Sequence, residues 1–430
     1  MLPAFHCRPE ACCDMRICLL SYRSYRYSGG QGIYLRYLSR ALCQLGHEVD
    51  VLSGPPYPDL DPPVRLIKLP SLDLYSMSSI SRLFIDPRRL DSVPDIVEWL
   101  GVISGYFAEP LSFGMRAYRF IRQHNNYDIV HDNQTLAYGV LRIQQLGLPV
   151  VETIHHSVFL DRELAVKAAK SIKDKLGLRW WYSFLNMQKK VAQQLPYIIT
   201  VSQDSAQHIA RTFNIPRERL RIVYNGIDTE TFSPNWGKKR AENRLLTVIS
   251  GNIAVKGLNY LLDAVAILRQ QHCVELVVIG KGADNPTTRK LAAQLGIFDY
   301  VKFIGEVTTE ELADHYRTAT IVVVPSTYEG FGLPAAEAMA CGAPVVATTA
   351  GALPEVVGDA GLLVPPGDVR ALAAAISALL NNEERRRLLG EAGHRRITQN
   401  FNWETAARRT LDIYAEAREQ QKYLARQHRQ

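Results

Sequence analysis

Residues Ile321 to Pro344 read IVVVPSTYEGFGLPAAEAMACGAP. The unbroken β-branched run Ile321-Val322-Val323-Val324 is what a strand buried on both faces requires. Pro325 and Ser326 end that strand, and Gly330 and Gly332 punctuate the loop after it. Leu333-Pro334 opens a helix, with proline where no amide partner is needed. Ala335 to Ala340 favour the helix, and Gly342 with Pro344 stops it. The unit is thus a strand, a glycine loop and a helix N-terminus. At the carboxyl end of a strand, that is where open α/β sheets bind ligands, and the free amides favour an anion.

Two carboxylates frame the unit: Glu329 in the loop and Glu337 on the first turn of the helix. Carboxylates accept hydrogen bonds from paired hydroxyls, so a ligand with an anionic centre and hydroxyls at both ends fits them. A nucleoside diphosphate sugar has that shape. A purely structural role, in which both charges favour the helix N-terminus, suits the same pattern.

Glu329-Gly-Phe-Gly-Leu-Pro-Ala-Ala-Glu337 resembles the E-x7-E motif of retaining glycosyltransferases of family 4 (glycosyltransferases group 1), which have the GT-B fold. Ala338 to Val346 (AMACGAPVV) and Gly351 to Glu355 (GALPE) are similar to the same family. The resemblance implies an α/β protein of two Rossmann-like domains facing a cleft, with a C-terminal helix crossing back to the N-terminal domain. It implies that Glu337 holds the donor ribose and that Glu329 contacts the transferred sugar. It also implies donor contacts from Phe331, Gly332 and Leu333. It extends from Met15 to Ala417 and is weakest over residues 55–125.

The rest of the chain agrees with two domains. Its 430 residues exceed one compact core. A formal charge of +7 suits an anionic ligand or a membrane surface and is too weak to argue for nucleic acid. Seven cysteines, an odd number without a C-x-x-C pair, indicate reduced thiols in a cytoplasmic protein. No stretch reaches the roughly 18 apolar residues of a transmembrane helix. Residues 1–14 do not read as a signal peptide and are expected to be a disordered extension. His6, Cys7, Cys12 and Cys13 within them form no convincing metal cluster.

Arg16 to Ser21 is the first strand signal, followed by Gly29-Gly30-Gln31-Gly32, a helical pattern over Ile33 to Leu45, and a second strand over His47 to Leu52. A glycine loop there lets backbone approach a phosphate. The family resemblance extends to this βαβ unit and implies that Gly30 and Gly32 face the donor, with Gln31 toward the acceptor. Asp59-Leu60-Asp61 matches a metal-binding D-x-D, but it sits among five prolines with no strand delivering it and reads as a surface loop. The resemblance likewise implies neither metal nor cofactor.

Residues 70–125 hold helices near Ile96 to Tyr106 and Gly114 to His124. Strands over Tyr127 to His131 and Pro149 to Ile154 each run into polar termini, His131-Asp132-Asn133-Gln134 and His155-His156. Thr153-Ile154-His155 resembles the family's T-x-H segment, which implies that His155 stands beside the transferred sugar. Asp132, Asn133 and His156 are then the acceptor candidates. Residues 162–190 are rich in Lys and Arg and include Trp180-Trp181. They suit either a membrane-surface helix, which would make the acceptor lipid-linked, or a solvated basic face with the tryptophans in the core.

Pro196 to Val201 is a further strand, and Ser202 caps the next helix. VYNGIDTETFSP (223–234) resembles the family's interdomain linker, giving domains at 15–234 and 235–402 and a returning helix at 403–430 whose tail frays after Arg418. The second domain alternates strands at 245–249, 274–279, 301–304, 321–324, 345–347 and 361–364 with helices. Lys256 opens one helix and can reach a phosphate. The family shows G-R-x-x-x-x-K-G here; this chain has Ser250 and Gly251 at the glycine and arginine positions, so that arginine is missing. Val307 falls where the family lines its nucleobase pocket.

The function expected is transfer of a hexose, from UDP or GDP, to a sugar or lipid-linked acceptor in the cytoplasm or at the inner face of the membrane. The alternatives are a GT-B nucleotide-sugar 2-epimerase, against which the E-x7-E segment argues, and a non-catalytic sugar-nucleotide binder. A phosphorylase is more distant, since no motif marks a lysine for pyridoxal phosphate.

Overall fold

The computed structural model describes the chain except for residues 1–13, 25–29, 75, 78–80, 83, 250–254, 283 and 428–430. The His6/Cys7/Cys12/Cys13 group, Gly29, and the Ser250 and Gly251 positions lie outside the described residues.

Among the described residues, thirteen strands form two wholly parallel sheets. The first contains β1 (Arg16–Ser21), β2 (Glu48–Ser53), β3 (Arg65–Lys68), β4 (Ile129–Asn133), β5 (Val150–Ile154), β6 (Tyr197–Thr200) and β7 (Leu220–Ile222), in the order β3-β2-β1-β4-β5-β6-β7. The second contains β8 (Arg244–Val248), β9 (Glu275–Ile279), β10 (Val301–Ile304), β11 (Ile321–Val324), β12 (Val345–Thr348) and β13 (Leu362–Val364), in the order β10-β9-β8-β11-β12-β13. All four residues of β11 are buried, as helices covering both faces demand. The strand order reverses direction between β1 and β4 and between β8 and β11, and a crevice opens at the carboxyl ends there.

The last helix, Trp403–Gln427, belongs to the first domain's core. Trp403, Ala407, Tyr414 and Ala417 are buried with Ile17, Tyr34, Leu38 and Leu42. The Trp403 indole stacks on Tyr37 at 5.7 Å, and Tyr414 Oη lies 2.6 Å from His131 Nδ1. The helix runs on to Gln427 rather than fraying after Arg418. Arg418 helps hold it there by donating to Asp128 at 2.7 Å. The linker crosses beside this return: the Ile227 amide donates to the Phe401 carbonyl at 2.9 Å. Any Cβ on Gly226 would lie 2.3 Å from the Trp403 nitrogen, so only glycine fits the crossing.

Two further differences from the sequence reading matter for the site. Gly30, Gln31 and Gly32 form the first turn of a helix, Gly30–Gln44, rather than a loop, and this turn lies beside Leu333. Residues 162–190 are spread over three helices, Val158–Ala168, Ile172–Trp181 and Phe184–Ala192. Trp181 packs on Phe107 while Trp180 is half exposed, so the pair divides between core and surface.

Candidate active site

The loops after β8 and β11 are pinned together, and this brings the predicted donor residues into one place. The Thr327 amide donates to the Val255 carbonyl at 2.8 Å. Gly257, at φ +68°, passes so close that a Cβ would stand 2.0 Å from the Pro325 oxygen. Lys256, the residue before it, therefore points at the β11 loop. Its Nζ lies 2.5 Å from Glu329 Oε1, which also accepts from Ser326 Oγ at 3.0 Å. Glu329 is itself held from behind, its carbonyl accepting the Ala352 amide at 2.9 Å.

The helix Leu333–Ala340 begins immediately beyond, capped by Gly332. Glu337 is its fifth residue, one turn further in than the sequence suggests, and it still reaches the cleft. Its Oε2 accepts from Tyr316 Oη at 3.1 Å. Burial pushes the Glu337 carboxyl up to about 7, with the tyrosine hydrogen bond opposing the rise. The two glutamates thus differ electrically: Glu329 sits against a cation, Glu337 against a neutral hydroxyl.

Val307, Leu333 and Glu337 from the second domain line the cleft opposite Gly32 and Arg36 from the first. Gly30 lies beside this wall, near Leu333. The Phe331 ring is buried against Phe401 at 5.9 Å, leaving its backbone as the part able to meet a ligand. Asp61 of the D-x-D is taken up by Arg36, whose Nη2 donates to it at 2.7 Å. Among the described residues, no group of three or more His, Cys, Asp or Glu is placed to hold a metal ion.

His155 ends β5 next to the Glu329 loop, since a Cβ on Gly330 would lie 3.3 Å from the His155 carbonyl. Its Nε2 pairs with Asn133 Oδ1 at 2.6 Å, and its ring stands edge-on to Tyr34 at 4.7 Å. Burial lowers the imidazole to about 3, so it is neutral at physiological pH. With Asn133 Oδ1 as acceptor, Nε2 carries the proton and Nδ1 is an acceptor. A neutral ring fixed on two sides can orient a hydroxyl but stores no charge.

The predicted acceptor residues separate. Asn133 is tied to His155, and its Nδ2 reaches the Gln31 carbonyl at 3.4 Å. His156 is half exposed and paired with Asp161 at 3.2 Å. Asp132 has no exposed surface and cannot touch an acceptor; its Oδ2 accepts the Leu136 amide, beneath the site. Tyr316, Tyr34 and Gln134 were not singled out by the sequence. Their contacts span 21, 119 and 21 residues respectively, so no local spacing marks them.

The domains also touch directly. Ser202 Oγ accepts the Ser205 amide as a helix cap and donates to the Gly330 carbonyl at 2.8 Å. The Glu355 carboxylate accepts the Gln203 and Asp204 amides at 2.8 and 2.9 Å and the Tyr224 hydroxyl at 3.0 Å.

Residues 28–231 match the family described as Glycosyltransferase Family 4, and residues 228–396 match Glycosyl transferases group 1. The chain is 45% identical to the MMP alpha-(1->4)-mannosyltransferase of Mycolicibacterium hassiacum, covering 94% of this chain and 98% of that protein. It is 30% identical to the D-inositol 3-phosphate glycosyltransferase of Xylanimonas cellulosilytica, over 91% of this chain and 92% of that one. Among solved structures, sucrose-phosphate synthase from Thermosynechococcus elongatus superposes with a TM-score of 0.69 at 25% identity, covering 94% and 98% of the two chains. Anabaena HepE, solved with UDP and glucose, shares the fold at a TM-score of 0.65 and 18% identity, covering 94% and 100%.

Proposed function

The chain belongs to the group 1 glycosyltransferases of family 4, with the GT-B fold, and from that premise we propose that it transfers a hexose from a nucleoside diphosphate sugar to an acceptor hydroxyl, with retention of configuration and without a metal. The observation that carries the reading is the placement of Glu329 and Glu337 on either side of one helix N-terminus, the first held by Lys256 and Ser326 and the second by Tyr316, at a cleft between two Rossmann-like domains. The donor diphosphate lies over the amides that open helix Leu333–Ala340, with Lys256 as its counter-charge. Glu337 accepts from the ribose hydroxyls. Glu329 and His155 hold the sugar. The bond from sugar C1 to the phosphate oxygen breaks and one from C1 to the acceptor oxygen forms on the same face. The acceptor's proton passes to the departing diphosphate.

Likeness to the mycobacterial enzyme suggests mannose as the sugar, in an α-(1→4) link. An α product from an α-linked donor is retention. The test is nucleotide release from GDP- and UDP-hexoses in EDTA, with and without mannooligosaccharide or cell extract. Acceptor-dependent release from one donor, lost in Glu329→Gln, is expected. Conversion of the donor without acceptor would indicate an epimerase, and binding without turnover a non-catalytic binder.

A second reading concerns where the reaction occurs, the cytoplasm or the inner membrane face. Ile172, Leu176 and Trp180 form an exposed stripe on one helix, and Val93, Ile96, Leu100 and Ile103 one on its neighbour. Trp180 Nε1 joins the two by donating to the Ser104 carbonyl at 2.7 Å. Lys173, Lys175 and Arg179 share the helix of the first stripe, and Lys167 and Lys170 precede it in the chain, a combination suited to an anionic bilayer surface and a lipid-linked acceptor. No helix among the described residues is long and apolar enough to cross a membrane. Flotation with phosphatidylglycerol but not phosphatidylcholine vesicles, lost in Leu176→Glu, is the expected result; no flotation, or a dimer in light scattering, would overturn it.

A further inference from the structure

Two acids that the transfer chemistry leaves unused lie under the His155 site. Asp132 on β4 and Glu152 on β5 face each other in the parallel register, and neither has exposed surface. Asp132 Oδ2 accepts the Leu136 amide at 2.8 Å, and Glu152 Oε1 accepts the Gln134 amide at 3.0 Å. Asp132 Oδ1 and Glu152 Oε2 are buried without a hydrogen-bond partner among the described residues. Among the described residues, the groups packed around the pair offer no cation: Thr135 and Gln188 are neutral, and burial keeps His131 and His155 uncharged. Two enclosed carboxylates with no counter-charge cannot both ionise.

Gln134 connects this pair to the site. It adopts φ +60°, a conformation uncommon for a residue with a side chain. Its backbone amide is held by Glu152. Its side chain clamps the next strand end, Oε1 accepting the His155 amide at 2.8 Å and Nε2 donating to the His156 carbonyl at 3.0 Å.

We propose that Asp132 and Glu152 share one proton across Oδ1 and Oε2, and that the pair acts as a positioning device, fixing His155 at the sugar through Gln134. This rests on the reading of His155 as a sugar contact. The proton satisfies both orphan oxygens at once and leaves Glu152 Oε1 free to hold the strained Gln134 amide. Burial raises both carboxyls, and the charge of Asp132 raises Glu152 further, in keeping with a proton retained between them. Glu152 and Gln134 touch no substrate; their effect falls on turnover, because the nucleotide is held by the other domain.

The test compares Glu152→Gln with Glu152→Leu. Glutamine keeps the oxygen for Gln134 and offers an N–H to Asp132 Oδ1, so its kcat stays within about two-fold of wild type, whereas leucine lowers kcat at least about ten-fold through misplacement of His155. The Kd for nucleoside diphosphate stays unchanged in both. Gln134→Leu repeats the leucine effect and serves where Glu152→Leu does not fold. Infrared difference spectra of wild type minus Glu152→Gln at pH 8 show the C=O stretch of a protonated carboxyl. A glutamine variant as impaired as leucine, or no such band, overturns the shared proton. Normal kcat in Glu152→Leu or Gln134→Leu overturns the positioning. If wild type turns over no donor, the transferase reading fails, and the infrared band still decides the pair.

Discussion

The Lys256 ammonium lies 2.5 Å from Glu329 Oε1, so the two charged groups assigned to the phosphate and the sugar neutralise each other. In the proposed reaction, donor binding divides them, Lys256 turning to the diphosphate and Glu329 being released to the sugar. Replacing Glu329 by glutamine frees Lys256 in advance. Glu329→Gln is therefore expected to lower kcat by about 100-fold while nucleoside diphosphate binds as tightly as to wild type or more so. Lys256→Ala should weaken nucleotide binding by about ten-fold or more, the scale of one charge-assisted hydrogen bond. Isothermal titration with both nucleotides, beside steady-state kinetics, measures the two effects.

With Glu337 on the donor ribose, as proposed, donor affinity should depend on pH. Its carboxyl is pushed up to about 7 in the free protein, and only the ionised form accepts two ribose hydroxyls. Donor KM should fall as pH rises through 7, and Glu337→Gln should flatten that dependence. The stability effect has the opposite sense. The fold favours the protonated acid, so its contribution is fullest below about 4.3, the ordinary glutamate value, and is lost as pH rises toward 7. The melting temperature of Glu337→Gln relative to wild type should accordingly be higher at pH 8 than at pH 4.

Tyr316 tunes that carboxyl. Its hydroxyl favours the ionised form, so Tyr316→Phe should move the midpoint of the donor-affinity profile to higher pH. At pH 7 the variant should bind donor several-fold more weakly, and at pH 9 the gap should narrow. A uniform loss at all pH values would mean that Tyr316 acts through packing alone.

Glu355 joins the domains by serving as the anion at the N-terminus of helix Gln203–Phe213, a helix that belongs to the other sheet. Glu355→Ala removes a contact of roughly 0.5–2 kcal/mol, the worth of a helix cap. Opening of the cleft should follow, read as a larger radius of gyration in small-angle scattering without donor. Saturating nucleotide should restore the wild-type value.

The sheets were legible where strands are enclosed on both faces. The β11 run Ile321 to Val324 announces itself because burial on two sides forbids polar residues. The edge strands of the first sheet escape that rule: β3, Arg65–Lys68, is partly exposed along its length, and β7 is three residues long. Neither was anticipated. Within the site, Lys256, Glu329 and Glu337 could be read because each sits in a local strand-loop-helix pattern. Tyr316, Gln134 and Glu152 could not, since their meaning lies in contacts made by folding. Gly30 and Gly32 read as a loop from their freedom alone, whereas the structure places both in the first turn of a helix.

Gly226→Ala should be among the most damaging single changes in the chain. The added methyl group would overlap the Trp403 backbone at 2.3 Å, so one of the two crossing segments must shift. A drop in stability of about 3 kcal/mol or more is expected on chemical denaturation, with loss of soluble protein as the extreme case.

The hydrogen bond from Ile227 to Phe401 ties the outbound and returning crossings into one two-ply seam. Such a seam resists shear and twist and leaves bending about its own line as the easy motion, as a book opens only along its spine. It also makes the two halves inseparable by a single cut. A protease nick near Trp236, exposed in the loop after the crossing, would leave fragments that still purify together, because the final helix remains embedded in the half it returned to.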